Sequence, residues 1–134
     1  MRYTDQAPQF VQLHHPVPGA VRPELIAGLL ETPARIAPKF LYDALGSRLF
    51  DAITELPEYY PTRTEAALFT QHGADMARHM PAGAVLIDLG AGSCAKAARL
   101  VPVLQPAAYV PVDISVDYLR DTLGELQQRH TELP

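Results

Sequence analysis

The chain has 134 residues, enough for one modest domain, and 48% of them are hydrophobic, as in an ordinary globular protein. Its formal net charge of -4, with no run of lysine or arginine, argues against a nucleic-acid partner. The single cysteine, Cys94, cannot form an internal disulfide, and no apolar stretch has the length and position of a signal peptide or a membrane span. We therefore expect a cytoplasmic protein.

The first 35 residues predict a proline-rich arm followed by a short helix. Residues 1–23 have no sustained hydrophobic period, whereas residues 24–31, which follow Pro23, predict a helix. His14 and His15 are adjacent in the arm, but no third or fourth metal ligand follows at a suitable spacing. We therefore predict no metal site.

Residues 36–82 predict a second, mainly helical region. In PKFLYDALGSRLFDAITELPEYYP, which starts at Pro38, apolar residues recur near the 3.6-residue period of one or two amphipathic helices. Pro57 and Pro61 then frame a loop that holds Tyr59 and Tyr60. Phenols in such a loop can line a pocket for a polar substrate, and the alternative is that they fill the joint between two helices.

A capping box predicts where the next helix starts. Thr62 and Glu65 frame the segment TRTE, in which the two side chains can satisfy free backbone N–H groups at a helix start. The helix is expected to run to about residue 79. Its predicted buried residues are Leu68, Phe69 and Met76, and its predicted surface residues are His72 and His79.

After Gly83 the hydrophobic pattern changes to that of an α/β unit. Residues 85–89 form a short, nearly continuous apolar run, which is typical of a parallel strand covered on both faces. A helix over residues 93 to about 103, a second strand over residues 109–113 and a last helix over residues 116 to about 130 follow. Pro111 interrupts the second strand, which is tolerable at a sheet edge or a bulge.

This β-α-β-α order makes only the corner of a doubly wound parallel sheet, whose faces and edges need further strands and helices. A third strand is due where the sequence reaches its last residue, Pro134. We therefore expect the chain to be the truncated front portion of a longer α/β enzyme, without a complete core of its own.

The turn between the first strand and its helix has the residues of a ligand-binding loop. Gly90 and Gly92 in DLGAGS allow a tight bend and let a ligand approach the backbone closely. Asp113, 23 residues after Gly90, is placed at the tip of the second strand to accept hydrogen bonds from a ribose diol. Lys96 can meet a ligand carboxylate or a nearby acid, and the alternative is an ordinary solvated lysine. Cys94 is interpreted as a small, buried packing residue.

Two cofactor classes fit this pattern. In the first, Gly90-x-Gly92-x-x-Ala95 is the phosphate fingerprint of a dinucleotide, and the protein is a nicotinamide-dependent oxidoreductase. In the second, Asp88-x-Gly-x-Gly is a loop that binds S-adenosylmethionine, with Asp88 near the amino-acid end of the donor. An acid so close to a pyrophosphate would repel it, which favours S-adenosylmethionine. A strand-to-helix turn with incidental glycines, in a non-enzymatic remnant or binding module, is the third alternative.

Three segments carry a more specific resemblance: YDALGSRLFDAITELPEYYPTRTE, DLGAGSCAKAARL and YVPVDIS. In order and spacing they resemble the histidine-specific methyltransferases of ergothioneine biosynthesis, from about Pro38 to the end of the chain. The block LPEYYPTRTE makes this resemblance more specific than a methyltransferase loop alone. It implies a Rossmann-like sheet, S-adenosylmethionine as cofactor, and transfer of three methyl groups to the α-amino group of free L-histidine, which gives hercynine.

The resemblance also implies roles for the residues that match the family's positions. The matched cofactor-binding positions are Gly90, Lys96 and Asp113, and the matched substrate-binding positions are Tyr59, Tyr42 and Phe50. Of these, Tyr59 corresponds to a tyrosine that holds the substrate imidazole. The run CAKA at residues 94–97 replaces a more polar Ser-x-Lys-Thr-like run, but it leaves Gly90 and Lys96 aligned.

The sequence offers no candidate for a general base. Displacement at a sulfonium methyl by a neutral amine needs alignment and the exclusion of water more than acid–base chemistry. The resemblance divides the chain into an arm with a short helix (1–35), a substrate-side helical region (36–82) and the first half of a cofactor-binding domain (83–134). Since the family's remaining contacts lie in a C-terminal half that this chain lacks, we expect no turnover by the chain alone.

Overall fold

The computed structural model describes residues 8–13, 15, 17 and 19–129. In chain order they form helix α1 (Val21–Leu29), a short 3-10 helix (Pro38–Leu41), helices α2 (Ala44–Thr54) and α3 (Tyr60–His79), strand β1 (Val85–Leu89), helix α4 (Ala95–Leu104), strand β2 (Ala108–Val112) and helix α5 (Val116–Arg129). The predicted order, a helical region and then β-α-β-α, is confirmed. His14 and residue 130, the predicted end of the last helix, lie outside the described residues. Within these residues, no helix is both long and apolar enough to cross a membrane.

β1 and β2 form a parallel two-stranded sheet, in which each residue of β1 lies opposite the residue 23 positions later in β2 (108 − 85 = 23). Pro111 removes no hydrogen bond between these strands. The Val112 carbonyl points towards β1, since it accepts a hydrogen bond from the Gly90 N–H. Because successive residues of a strand point their backbone groups in opposite directions, Pro111 directs its nitrogen to the outer edge of β2. Of the two tolerable positions, a sheet edge and a bulge, the described residues show the edge.

The two faces of the sheet differ in burial. On one face, Tyr109 of β2 packs with α4 and α5 against a core of Ala91, Cys94, Ala97, Leu119 and Leu126. On the other face, apolar residues of both strands are exposed by 43% to 75%; they are Val85, Ile87, Leu89, Val110 and Val112. The prediction that the first strand is covered on both faces is therefore wrong for the described residues, because both flanking helices pack on the same side.

Helix α3 begins two residues before the predicted capping box. Tyr60 is its first residue, Pro61 lies in its first turn, and no side chain caps its N-terminus. The prediction that Thr62 and Glu65 form a capping box is therefore wrong. Proline favours the first helical turn because its φ is helical and it has no N–H that needs a partner. The Arg63 guanidinium donates instead to two carbonyl groups of the preceding loop.

Helix α3 packs against α4 at Gly73, its buried residue. A Cβ at this position would lie 3.4 Å from Cγ1 of Val103, so the missing side chain lets the two helices come close. The predicted burial of Leu68 and Met76 is wrong, since they are 50% and 39% exposed, and Phe69 is half-buried. The contact face of α3 is therefore narrower than its hydrophobic pattern predicts.

Candidate cofactor and substrate site

The loop between β1 and α4, which we call the glycine loop, turns through Gly90 (φ +74°) and Gly92 (φ +51°). This left-handed conformation disfavours residues that have a side chain. A Cβ built on either glycine would meet no protein atom within 4 Å beyond its chain neighbours, so both backbones face open space. The Gly90 N–H donates to the Val112 carbonyl over 2.8 Å, which ties the glycine loop to the end of β2.

Asp113 lies beside the glycine loop, directly after β2. One of its carboxylate oxygens accepts a hydrogen bond from the Gly92 N–H over 2.9 Å, and the other accepts one from the Ser115 N–H over 2.8 Å. Each carboxylate oxygen has a further lone pair, so a ligand can bond to Asp113 without displacing these contacts. The structure therefore brings together the second glycine and the second acid of the predicted site.

Asp88, near the end of β1, contacts both a lysine and a tyrosine. Lys96 Nζ lies 3.2 Å from one carboxylate oxygen, and the Tyr109 hydroxyl donates to the other over 3.1 Å. Of the alternatives for Lys96, the structure shows the nearby acid. Burial, together with a hydrogen bond to Cys94 and the charge of Asp88, raises the pKa of Tyr109 well above its ordinary value. The phenol therefore stays protonated and keeps its hydrogen bond to Asp88.

A cavity of about 200 Å³ lies beside this ion pair. Glu65 and Phe69 of α3 line it together with Asp88 and Lys96. Glu65 and Tyr109 were not predicted as site residues. The signal for Glu65 is its spacing of four residues from Phe69, which puts both on one face of α3. The signal for Tyr109 is the alternation of the strand, which puts it on the face of the sheet that carries Asp88.

The three predicted substrate residues form one aromatic cluster, Tyr42, Phe50 and Tyr59. The Tyr42 and Phe50 rings meet edge to face with their centroids 6.3 Å apart, and the Phe50 and Tyr59 rings do so at 5.8 Å. Edge-to-face pairs at these distances attract each other. Tyr60, the other tyrosine of the pair, is exposed.

The aromatic cluster and the glycine loop lie at the same end of the sheet. The Ser115 hydroxyl donates to the Tyr42 carbonyl over 2.9 Å, and the Ser115 N–H is one of the two donors to Asp113. Ligand sites of open α/β sheets lie beyond the carboxyl ends of the strands, which is where Asp113 stands. The residues predicted for cofactor and for substrate are thus neighbours in the structure.

Cys94 and the histidines of α3 lie where the sequence predicts. Cys94 is 1% exposed, and burial raises the pKa of its thiol. A neutral, inaccessible thiol is a poor nucleophile, so the predicted packing role is confirmed. His72 and His79 are exposed.

Comparison with known proteins shows which proteins this chain is similar to. Residues 21–134 match the family described as histidine-specific, SAM-dependent methyltransferases. A histidine N-alpha-methyltransferase of Mycobacterium tuberculosis is 37% identical over 116 residues, which are 84% of this chain and 36% of the relative. One of Mycolicibacterium smegmatis is 42% identical over 106 residues, 75% of this chain and 32% of the relative. Ergothioneine biosynthesis protein 1 of Neurospora crassa is 36% identical over 98 residues, 70% of this chain and 11% of the relative.

The chain spans about a third of the length of the two bacterial relatives. The family match, in contrast, covers most of this chain and includes the helical region, the glycine loop and Asp113. The chain therefore belongs to the family of histidine-specific, SAM-dependent methyltransferases.

Proposed function

We propose that the protein containing this chain transfers methyl groups from S-adenosylmethionine to the α-amino group of free L-histidine, in the cytoplasm, and so forms hercynine for ergothioneine biosynthesis. The observation that carries the proposal is the glycine loop, in which Gly92 is bonded to Asp113 while Gly90 and Gly92 face open space. The names of the two bacterial relatives support histidine as the acceptor, and the name of the Neurospora crassa relative supports the pathway.

The residues around the glycine loop fit the chemical parts of the donor. S-adenosylmethionine, when bound, supplies an electrophilic methyl group, and it also carries a ribose diol and an amino-acid end. The carboxylate of Asp113 can accept hydrogen bonds from the diol with its remaining lone pairs. The Lys96 ammonium has three N–H donors, and its contact with Asp88 uses one, so it can also bind the donor's carboxylate. Without a Cβ, Gly90 and Gly92 leave the backbone open to close approach.

The aromatic cluster supports a planar, polar acceptor such as the imidazole of histidine. The phenol of Tyr59 can hydrogen-bond a ring nitrogen, and the packed rings of Phe50 and Tyr42 form an apolar wall beside it. A phenol left without its partner penalises a side chain that cannot hydrogen-bond, which gives selectivity. We therefore assign residues 36–82 to the substrate side of the site and residues 83–134 to the donor side.

The residues of this chain position the donor and the acceptor and transfer no proton. The acceptor nitrogen must be unprotonated to attack the methyl carbon, and this attack breaks the bond from that carbon to sulfur and leaves S-adenosylhomocysteine. After the first and the second transfer the nitrogen loses a proton to solvent, whereas after the third it is a quaternary ammonium without a proton. We assign no general base among the described residues. The hydrogen bonds of Asp113 and the packing of the aromatic cluster would hold the two ligands in alignment, and the rings would cover one side of the acceptor.

Mass spectrometry tests this function on the native gene product, by which we mean the complete polypeptide that contains these 134 residues. The protein is incubated with S-adenosylmethionine and a panel of free amino acids, and a reaction without the donor is the control. We expect histidine to gain one, two and then three methyl groups. A preference for another amino acid would correct the acceptor. Binding of NADH without binding of S-adenosylhomocysteine would contradict the donor and favour a nicotinamide-dependent oxidoreductase.

A further inference from the structure

A continuous path of hydrogen bonds connects the glycine loop to the aromatic cluster. It starts at the Gly92 N–H, which donates to Asp113 over 2.9 Å, and continues at the Ser115 N–H, which donates to the other oxygen of Asp113 over 2.8 Å. The Ser115 hydroxyl then donates to the Tyr42 carbonyl over 2.9 Å. Ser115 therefore contacts both parts of the site, the donor-side acid through its backbone and the substrate side through its side chain.

Ser47 of α2 fixes the orientation of the Ser115 hydroxyl. The Ser47 hydroxyl donates to it over 3.2 Å, and Ser47 itself is only 5% exposed. The Ser115 hydroxyl thus accepts one hydrogen bond and donates another, so its rotation about the C–O bond is defined. Both partners of this hydroxyl belong to the substrate-side region.

A second contact joins α2 to α5, one turn beyond Ser47 in α2 and three residues beyond Ser115, which directly precedes α5. The Tyr118 hydroxyl donates to the Asp51 carboxylate over 2.5 Å. Tyr118 follows Ser115 by three residues and Asp51 follows Ser47 by four, spacings that put each pair on one side of its chain segment. Two contacts one turn apart fix both the position and the rotation of α2 against α5. Phe50, the central ring of the aromatic cluster, is next to Asp51 in α2.

We propose that Ser115 is a positioning residue that couples the donor site to the substrate site. Its backbone holds Asp113, and its hydroxyl holds Tyr42 and, through Ser47, helix α2. The inference rests on the proposed function of the site. A displacement of about 1 Å between reacting groups can lower a rate about 100-fold, so a contact that sets their relative position matters beyond its own strength. Donor binding at Asp113 is therefore transmitted to α2.

Hydrogen exchange of the native gene product tests this coupling without measuring activity. S-adenosylhomocysteine should slow amide exchange in α2 of the unmodified protein. In Ser115→Ala, exchange in α2 without ligand should rise about five- to thirtyfold, the effect of losing about 1–2 kcal/mol of hydrogen bonding, and the ligand should no longer slow it. Ser115→Thr keeps a hydroxyl and should restore both properties. Thr70→Ala, which removes a hydroxyl that donates to a backbone carbonyl on the exposed side of α3, is the matched control and should change neither.

Ser115→Ala should also affect the two ligands differently, which steady-state kinetics and donor binding can measure. Ser115→Ala should raise the KM for the amino acid about five- to thirtyfold and change the Kd for S-adenosylhomocysteine by less than about twofold. Ser47→Ala and Tyr118→Phe should change α2 exchange and the KM in the same direction, because they remove the supporting contacts.

Three results would overturn the inference, and only the third would also overturn the proposed function. Unchanged α2 exchange and an unchanged KM in Ser115→Ala would overturn it and leave the proposed function intact. An equal loss of donor and acceptor affinity would also overturn it, since Ser115 would then belong to the donor site alone. A failure of the unmodified protein to bind S-adenosylhomocysteine would overturn the proposed function and this inference together.

Discussion

Replacing Gly90 by alanine separates the backbone strain of the glycine loop from its ability to hold a ligand. With φ at +74°, an alanine there costs about 1–2 kcal/mol, and its Cβ would meet no protein atom within 4 Å. Any loss in the free energy of unfolding therefore comes from the backbone alone. Gly83, in the turn before β1, is the matched control, because its φ is +75° and its Cβ would also face open space. Both variants should be destabilised equally.

The two variants should differ in donor binding. A Cβ at position 90 would project into the space that we assign to the donor, where the ligand must approach the backbone closely. A displacement that costs at least about 1.4 kcal/mol weakens binding at least about tenfold. Titration calorimetry with S-adenosylhomocysteine should therefore give at least that loss for Gly90→Ala, and an unchanged Kd for Gly83→Ala.

Equal donor affinities in Gly90→Ala and Gly83→Ala, measured on folded protein, would refute the assignment of the glycine loop to the donor. Denaturant unfolding of the same two samples checks the premise, since their losses of unfolding free energy should agree. A much larger loss for Gly90→Ala would show that the variant disrupts the loop itself, and the affinity would then have to be compared with that of Gly92→Ala.

Tyr59→Phe should raise the histidine concentration needed for half-maximal rate and leave the affinity for the donor unchanged. Tyr60→Phe, which alters the exposed neighbour, is the control. An equal loss of affinity for both ligands would count against the role of Tyr59. Lys96→Met should weaken S-adenosylhomocysteine binding roughly tenfold, because a hydrogen bond to a charged group contributes about 1.5 kcal/mol. An unchanged Kd for S-adenosylhomocysteine would show that Lys96 does not belong to the donor site. Burial raises the pKa of the Cys94 thiol above its ordinary value of 9.0, so the native state keeps a proton that the unfolded chain releases. The free energy of unfolding should therefore fall as the pH rises above about 9, by at most about 1.4 kcal/mol per pH unit. Denaturant unfolding of Cys94→Ala between about pH 9 and pH 10 should show a smaller fall, and an equal fall in both proteins would disprove the linkage.

The sequence predicts the order of helices and strands because each is specified over a few residues. β1 has its predicted bounds, α3 ends at His79 as predicted, and β2 differs from its prediction by one residue at each end. Short apolar runs, glycine turns and breaks in helical period are local signals. The start of α1 is less well predicted, since Pro23 lies inside its first turn and not ahead of it.

Burial and side-chain contacts are harder to predict, because they depend on which elements cover each other. Leu68 and Met76 have the spacing of a buried face, but α3 meets α4 at Gly73 and leaves them exposed. The glycine loop and its acid were predictable from one strand-to-helix turn and the end of the next strand. Glu65 lines the cavity beside Asp88, and Tyr109 donates a hydrogen bond to Asp88, from positions more than 20 residues away in the sequence. Their local spacing predicts which face each residue lies on, but it does not show that this face meets Asp88.

The close contact between Gly73 and Val103 means that the side chain at position 73 sets the distance between α3 and α4, the two helices beside the cavity near Lys96. The methyl group of an alanine at position 73 would just fit, since its carbon would lie 3.4 Å from Val103. A leucine at this position would push α3 and α4 apart. Residues of the same two helices line the cavity, so a leucine at position 73 should enlarge the cavity without replacing any polar group that lines it. Side chains of increasing size at this remote position should therefore change the volume of the cavity while the polar groups that line it stay the same.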